Sequence, residues 1–232
     1  MPWAQIPADW RGFMATDARI RPSGALLLFA REPVPGQVKT RLIPALGAEG
    51  AARLYHAMLE MALEASAAVP GVHRELWCSG APPTEGICAG LALGRGMALH
   101  RQPAGDLGAR MGLALSRALG RTDRAVLIGS DCPGYHARYL IAALDALTDH
   151  DAVLGPAADG GYVLIGLRRY APELFTQMHW GTDGVLAQTR AVLDRLGWTW
   201  AELPALTDLD RPEDLAQFPA LMASLAPQTY LE

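Results

Sequence analysis

The segment ALLLFAREPVPGQVKTRL, residues 25–42, joins two stretches of opposite character. Its first six residues, 25–30, are apolar and form a run with the length and composition of a buried β-strand. The chain then enters a loop with two prolines, one glycine and the cations Arg31, Lys39 and Arg41. A buried strand that leads directly into a stiff basic loop is typical of an α/β protein that binds an anion at the carboxyl ends of its strands.

Apolar runs alternate with segments of helical periodicity along the rest of the chain. The predicted strands are 25–30, 75–79, 97–100, 125–129, 152–154, 162–166 and 198–203. The predicted helices are 48–69, 107–119, 138–147 and 185–196. This alternation predicts an α/β fold with a mainly parallel, mixed, twisted sheet, right-handed crossovers and helices on both faces. We expect an irregular extension at 1–23, one domain at 24–232 and a variable connection at 81–96.

Composition restricts the classes of protein that this chain can belong to. Half of its 232 residues are apolar, which is enough for a sizeable core. The formal net charge of −4 argues against a general nucleic-acid binder, so an anion site must be a local cluster of cations. Three cysteines without a CxxC pair argue against a disulfide framework and a structural zinc site. We see no secretory signal and no membrane span, and we expect a cytoplasmic protein of undetermined oligomeric state.

The first loop has the features of a phosphate-binding loop. Proline restricts φ, and Gly36 allows a turn with positive φ or a close approach to a ligand. Lys39 and Arg41 are two residues apart and can reach successive phosphates, Arg through a planar fork and Lys as a point charge. We expect both cations to be exposed and to contribute little to stability. The alternative is a solvated surface turn.

Carboxylates follow the later predicted strands at the same edge of the sheet. Asp131 is the second residue after the fourth strand, where a hard divalent cation such as Mg²⁺ would find carboxylate and phosphate oxygens. The alternative is that Asp131 caps the next helix. Asp208 and Asp210 alternate, so an extended segment would direct both to one side. Asp214 is better explained by the start of a helix near Pro212.

Two further segments bring polar residues to this edge. The segment DGG at 159–161 opens a strand, where paired glycines permit close approach of a ligand; the alternative is a plain hairpin turn. The segment QPAGDLGAR at 102–110 is a glycine-bounded helix start whose polar residues can line the site, or whose aspartate can complement the helix dipole. The residues assigned to the site here are Asp159, Gly160, Gly161, Gln102, Asp106 and Arg110.

Six blocks of the chain resemble a known family. They are FAREPVPGQVKTRL, QPAGDLGARM, GSDCPG, GPAADGGYVLIGL, HWGT and DLDRPEDL, and together they extend over residues 24–220. They resemble the bacterial family called transferase 1, radical-SAM/selenodomain-associated, of the glycosyltransferase-A-type nucleotide-diphospho-sugar transferase superfamily. The chain is more distantly similar to the molybdenum-cofactor and 2-phospho-L-lactate guanylyltransferases.

The resemblance implies a nucleotide bound over the first loop, around Ala30, Arg31, Gly36, Lys39 and Arg41. It also implies Mg²⁺ (or Mn²⁺) held by Asp131 and by the acidic residue matched here by Asp210, with Asp208 in reserve. In the HWGT block it places Trp180 and Thr182 on a loop that faces the substrate, although an aromatic residue there can equally belong to the core.

These residues predict a Mg²⁺-dependent nucleotidyltransferase. Lys39 and Arg41 would stabilise charge on a nucleoside triphosphate, and Asp131 would hold the metal, while a small phosphorylated molecule accepts the nucleoside monophosphate. One alternative is a glycosyltransferase that uses a nucleotide-sugar. Another is a non-catalytic nucleotide-binding regulator.

Overall fold

A seven-stranded sheet forms the centre of the computed structural model, which describes residues 24–80 and 86–225. The expected extension at 1–23 lies outside these residues. The strands are β1 (Ala25–Arg31), β2 (His73–Ser79), β3 (Ala98–Arg101), β4 (Ala125–Gly129), β5 (Ala152–Pro156), β6 (Tyr162–Leu167) and β7 (Trp200–Glu202). All seven predicted strands are therefore confirmed, with small shifts at their ends.

The order of the strands across the sheet is β3-β2-β1-β4-β6-β5-β7. Strand β6 runs antiparallel to both of its neighbours, and the other pairs are parallel. The predicted mixed, mainly parallel sheet is confirmed. Because six strands run in one direction, the loops that follow β1, β4, β5 and β7 leave from the same edge of the sheet.

Helices cover both faces of this sheet. They are α1 (Ile43–Ala67), α2 (Ile87–Gly94), α3 (Leu107–Leu119), α4 (Ala137–Asp149), α5 (Val185–Arg195) and α6 (Pro219–Ser224). Helices α1, α2 and α4 pack on one face, and α3 and α5 pack on the other. In β1, Leu26 and Leu28 contact the first group while Leu27 and Phe29 contact the second. A strand buried on both sides needs apolar residues at every position, which explains the continuous run in its sequence.

The four predicted helices are confirmed, and the expected variable connection over 81–96 contains a helix that was not predicted. Residues 81–85 lie outside the described part, and α2 occupies most of the remainder. Its sequence, ICAGLALG, contains two glycines and no polar face, so it lacks the pattern by which a surface helix is recognised. Among the described residues, no helix has both the length and the apolar character that crossing a membrane requires.

Candidate active site

The first loop is anchored by apolar residues on either side of Lys39. Val38 and Leu42 are buried against the N-terminal half of α1, and Gly36 makes the turn before them with φ of 80°. Lys39 has φ of 46° and ψ of 44°, a left-handed conformation that is uncommon outside glycine. A short 3-10 helix, Thr40–Leu42, follows immediately. This backbone directs the Lys39 side chain inward, where only 3% of it is exposed.

Two carboxylates converge on the buried ammonium group. The Nζ atom of Lys39 lies 2.9 Å from Oδ1 of Asp131 and 3.5 Å from Oδ1 of Asp210. Arg41 forms an ion pair with the other oxygen of Asp210. Leu209 is fully buried and donates its N–H to the carbonyl oxygen of Asp131 at 2.9 Å, which ties the two acidic segments together. Residues that are distant in sequence thus meet beyond the ends of β1 and β4.

The expectation that Lys39 is an exposed loop charge is wrong, because its side chain is among the buried ones. The two carboxylates are more open, with 54% of the Asp131 side chain and 35% of the Asp210 side chain exposed. Arg41 is 66% exposed and fits the original expectation. Lys39 therefore neutralises the acidic pair from inside, while Arg41 faces solvent.

A cavity of about 590 Å³ opens beside this cluster, a volume within the usual range of about 300–1,000 Å³ for small-molecule sites. It draws its walls from the loops after several strands. The predicted site residues that line it are Ala30, Arg31, Arg41, Gln102, Arg110, Asp131, Asp159, Gly161, Trp180, Thr182, Asp208 and Asp210. The structure therefore brings most of the predicted residues to one cavity.

Four predicted residues do not line the cavity. Lys39 lies behind the carboxylates, and Gly36 is exposed in its turn. Asp106 is the N-cap of α3, where its Oδ1 accepts the N–H of Ala109 at 2.8 Å, as the alternative for this residue had it. Gly160 has φ of 88°, and a Cβ there would clash with the carbonyl oxygen of the nearby Asp183. Gly160 is thus required by the turn between β5 and β6.

The helix-cap alternative for Asp131 does not describe the structure. The N-cap of α4 is His136, whose Nδ1 accepts the N–H of Tyr139 at 3.2 Å. Asp214, by contrast, accepts the N–H groups of Asp210 and Arg211 at 3.0 Å and 2.7 Å. Asp214 therefore holds the acidic segment in place, which leaves the carboxylate of Asp210 free to face the basic loop.

Hydrogen bonds hold three of the residues that line the cavity in place. The side-chain amide of Gln102 donates to the carbonyl oxygens of Ala30 and Trp77, both at 2.9 Å, and so joins the ends of β1 and β2. Nε of Arg110 donates to the carbonyl oxygen of Gly105 at 2.8 Å. Oδ1 of Asp159 accepts the N–H of Gly161 at 2.9 Å, so Asp159 both shapes the hairpin turn and lines the cavity.

Trp180 forms the aromatic side of the cavity. Its ring meets Tyr162 edge to face, with centroids 6.4 Å apart. Its buried indole N–H has no acceptor among the described residues. The ring lies against Gly108 of α3, where a Cβ would come within 2.6 Å of the indole nitrogen. Trp180 is therefore a half-buried packing residue that also lines the cavity, and its role toward a substrate stays a prediction.

Tyr55 was missed by the sequence analysis. It is buried on α1, where its hydroxyl accepts the N–H of Arg31 at 2.7 Å and shares a hydrogen bond with Oγ of Ser130 at 2.7 Å. It thereby joins the loop after β1 to the loop that carries Asp131. Burial, reinforced by the Asp131 carboxylate, raises the pKa of Tyr55. In the sequence it occupies an apolar helical position, and only its hydroxyl could have indicated this role.

The acidic residues at this edge are a suitable donor set for a hard divalent cation. Asp131 and Asp210 already converge on one positive nitrogen, and both residues line the cavity. Burial, followed by the negative charge of Asp159, raises the pKa of Asp208 beside them. Clustered carboxylates of this kind repel one another, and a cation relieves that repulsion. The residues present therefore fit the predicted metal.

The fold is of the nucleotide-diphospho-sugar transferase type. More particularly, the chain belongs to the family described as "Uncharacterized protein conserved in bacteria (DUF2064)", whose model matches residues 62–182. No curated protein matches it. The radical-SAM-associated family named above stays a prediction.

Solved structures agree with this fold. A protein from Desulfovibrio desulfuricans G20, provisionally named a nucleotide-diphospho-sugar transferase, is 28% identical over 88% of this chain and 98% of its own, with a TM-score of 0.76. CMP:2-keto-3-deoxy-manno-octonic acid synthetase complexed with CTP is 13% identical, with 87% and 99% coverage and a TM-score of 0.54. The 4-diphosphocytidyl-2C-methyl-D-erythritol synthase of Anaerococcus prevotii DSM 20548 is 10% identical, with 87% and 99% coverage and a TM-score of 0.56. At these two lower identities the likeness concerns the fold alone.

Proposed function

We propose that this protein is an enzyme, a Mg²⁺-dependent nucleotidyltransferase that moves a nucleoside monophosphate from a nucleoside triphosphate to a small phosphorylated acceptor. The observation that carries the proposal is the convergence of Asp131 and Asp210 with Lys39 and Arg41 beside the cavity. Cations and carboxylates at one sheet edge are what a metal-bound polyphosphate requires. The fold is shared with a synthetase that was solved with CTP.

In this reaction an oxygen of the acceptor phosphate attacks the α-phosphorus, the bond from that phosphorus to the bridging oxygen breaks, and pyrophosphate leaves. Such chemistry asks the protein mainly for alignment and for compensation of negative charge. No covalent intermediate with a side chain is needed. This agrees with a site that is rich in charged groups, whose nearby thiol, Cys132, is buried and has a pKa raised by that burial to about 11.

The side chains have separable tasks. Arg41 and Arg31 are exposed at the cavity and would bind phosphate oxygens. Asp131 and Asp210 would hold Mg²⁺, with Asp208 in reserve, and Mg²⁺ when bound would neutralise phosphate charge and help to orient the attack. Lys39 forms ion pairs with both carboxylates and so holds them together in the free protein. Asp159, Trp180 and Thr182 also line the cavity and would contact the remainder of the substrates.

A second candidate is glycosyl transfer from a nucleotide-sugar. It is favoured by the name given to the Desulfovibrio protein, a nucleotide-diphospho-sugar transferase, which is 28% identical to this chain. The same carboxylates would then serve a metal-bound diphosphate. The two reactions differ in the donor consumed, because only the first releases pyrophosphate from a triphosphate.

The test is incubation with each nucleoside triphosphate and Mg²⁺, with a panel of small phosphorylated acceptors, while pyrophosphate release is measured. Arg41→Gln should reduce triphosphate binding by about 1.5–3 kcal/mol, the value of a charge-assisted contact. Arg195→Gln is the matched control, because Arg195 is exposed at the C-terminal end of α5 and does not line the cavity.

Turnover of a nucleotide-sugar without pyrophosphate release would select the glycosyltransferase. If a triphosphate binds but is not turned over with any acceptor, the protein is instead a non-catalytic nucleotide-binding regulator. Equal triphosphate affinity in Arg41→Gln and Arg195→Gln would remove the basic loop from the site.

A further inference from the structure

A second group of metal-ligating side chains lies behind the first loop. Glu32 follows β1 directly, Cys78 is in β2, and Cys88 is in the first turn of α2. One carboxylate oxygen and the two sulfur atoms all lie within 4.8 Å of one another. The distance from Sγ of Cys78 to Oε2 of Glu32 is 3.9 Å. None of these residues takes part in the chemistry proposed above.

The sheet and α2 build this group from distant parts of the sequence. Glu32 extends the pairing of β1 with β2, because its N–H donates to the carbonyl oxygen of Ser79 at 2.8 Å. Its Oε1 accepts the N–H of Ile87, and its Oε2 accepts the N–H of Cys88 at 3.3 Å. The carboxylate is therefore fixed at the N-terminus of α2, where the helix dipole favours negative charge.

All three side chains are enclosed. Glu32 is 9% exposed, Cys78 4% and Cys88 2%. Hydrogen bonding to Cys78 and burial raise the pKa of the Cys88 thiol. Two thiols and a carboxylate thus share one enclosed space.

The donor atoms and their spacing match a thiophilic metal centre. Zinc binds thiolate sulfur at about 2.3 Å and carboxylate oxygen at about 2.0–2.2 Å, so a tetrahedral centre separates its donors by about 3.5–4 Å. The sulfur–oxygen distance of 3.9 Å between Cys78 and Glu32 falls in that range. Thiolates select ions such as Zn²⁺, whereas the oxygen donors at Asp131 and Asp210 suit Mg²⁺.

We propose that Glu32, Cys78 and Cys88 bind a Zn²⁺-type divalent cation through one carboxylate oxygen and two thiolate sulfurs. Binding releases two thiol protons to solvent, and the fourth position is taken by water. The second carboxylate oxygen keeps its hydrogen bond from Ile87, as the outer partner that orients the ligand. The ion would clamp α2 to β1 and β2, directly behind Arg31, which lines the cavity.

The test uses the full chain, freed of metal with a chelator under reducing conditions and titrated with Co²⁺ or Zn²⁺. We expect one thiophilic ion per chain, a thiolate-to-cobalt charge-transfer band, release of two protons per ion, and a higher melting temperature in the presence of the ion. Cys78→Ser and Cys88→Ser should each abolish the band and the thermal shift. Glu32→Gln should weaken binding by at least about tenfold, the smallest effect expected when even an outer partner is lost.

Cys132→Ser is the matched control, since Cys132 is equally buried but lies beside Asp131, and its replacement should leave the cobalt band intact. Absence of the band in the wild-type protein, or its persistence in both serine variants, would overturn the proposal and leave Glu32 as a cap for α2. If the serine variants do not fold, X-ray absorption of the zinc-loaded wild-type chain decides. Two sulfur donors support the site, and fewer than two refute it.

Discussion

Lys39→Met removes the buried ammonium group that forms ion pairs with both Asp131 and Asp210. Methionine keeps an unbranched side chain of similar length, so the packing beside Val38 and Leu42 changes little. Both residues are equally disfavoured at a φ of 46°, so backbone strain does not contribute to the difference. The change therefore measures the ion pairs of Lys39 with Asp131 and Asp210.

The expected magnitude follows from exposure. Removing one partner of a fully buried ion pair costs about 3–5 kcal/mol, because the remaining charge is left without compensation. Here the side chains of Asp131 and Asp210 are 54% and 35% exposed, so water can solvate them, and Asp210 keeps its pair with Arg41. We therefore expect a loss of about 1–3 kcal/mol in the free energy of unfolding, in line with charge-assisted hydrogen bonds. Arg41→Gln, at a 66% exposed side chain, should cost less than about 1 kcal/mol.

The assay is urea-induced unfolding of the wild type, Lys39→Met and Arg41→Gln, first with a chelator and then with Mg²⁺. In Lys39→Met the two carboxylates lose their internal counter-charge, so Mg²⁺ should restore more stability to it than it adds to the wild type. Equal losses in the two variants would refute the reasoning. So would Mg²⁺ effects that are identical in Lys39→Met and the wild type.

Three further variants probe the rest of the site. Asp131→Asn should abolish Mg²⁺-dependent pyrophosphate release and lower the melting temperature by about 2–4 °C, the equivalent of about 1 kcal/mol; retained turnover would exclude it as a metal ligand. Asp208→Asn should raise the melting temperature of the metal-free protein at pH 7, because burial and neighbouring carboxylates raise the pKa of Asp208 and so disfavour its charged form. This gain should shrink as the pH falls towards about 4, where the wild-type carboxyl also becomes neutral; a gain that does not depend on pH would contradict the argument. Gly108→Ala would place Cβ 2.2 Å from the carbonyl oxygen of Phe175 and 2.6 Å from the indole nitrogen of Trp180, and should cost about 1–3 kcal/mol, whereas Gly90→Ala, with open space around it, should not.

The location of the site could be predicted from sequence because it depends on chain direction. The residues that follow β1, β4 and β7 must leave from one edge when these strands are parallel. Asp131 and Asp210 could therefore be assigned to one place without any knowledge of packing. The burial of Lys39 could not, because it depends on contacts with distant segments: Leu209 packs with Val38 and Leu42, and the carboxylates of Asp131 and Asp210 pair with the ammonium group.

Helix α2 and the cysteines illustrate a second limit. The sequence contains no CxxC pair, so the spacing of its cysteines does not indicate a site for a thiophilic metal. The parallel register of β1 with β2 places Ala30 opposite Cys78, and α2 then brings Cys88 to the same place. The N-terminus of α2 is capped by Glu32, which is more than fifty residues away along the chain. Neither the cap nor the cluster has a local signature.

The ion pairs of Lys39 also limit how strongly the free protein can bind a divalent cation. Any cation that takes the oxygens of Asp131 and Asp210 competes with an ammonium group already 2.9 Å and 3.5 Å from them. A polyphosphate would offer Lys39 new anionic partners and so lower the cost of that competition. Because coupling between two ligands is reciprocal, we expect nucleoside triphosphate to raise Mn²⁺ affinity in the wild type, and to do so less in Lys39→Met. Electron paramagnetic resonance of free Mn²⁺, with and without triphosphate, measures this coupling, and equal coupling in both proteins would show that Lys39 is a structural counter-charge alone.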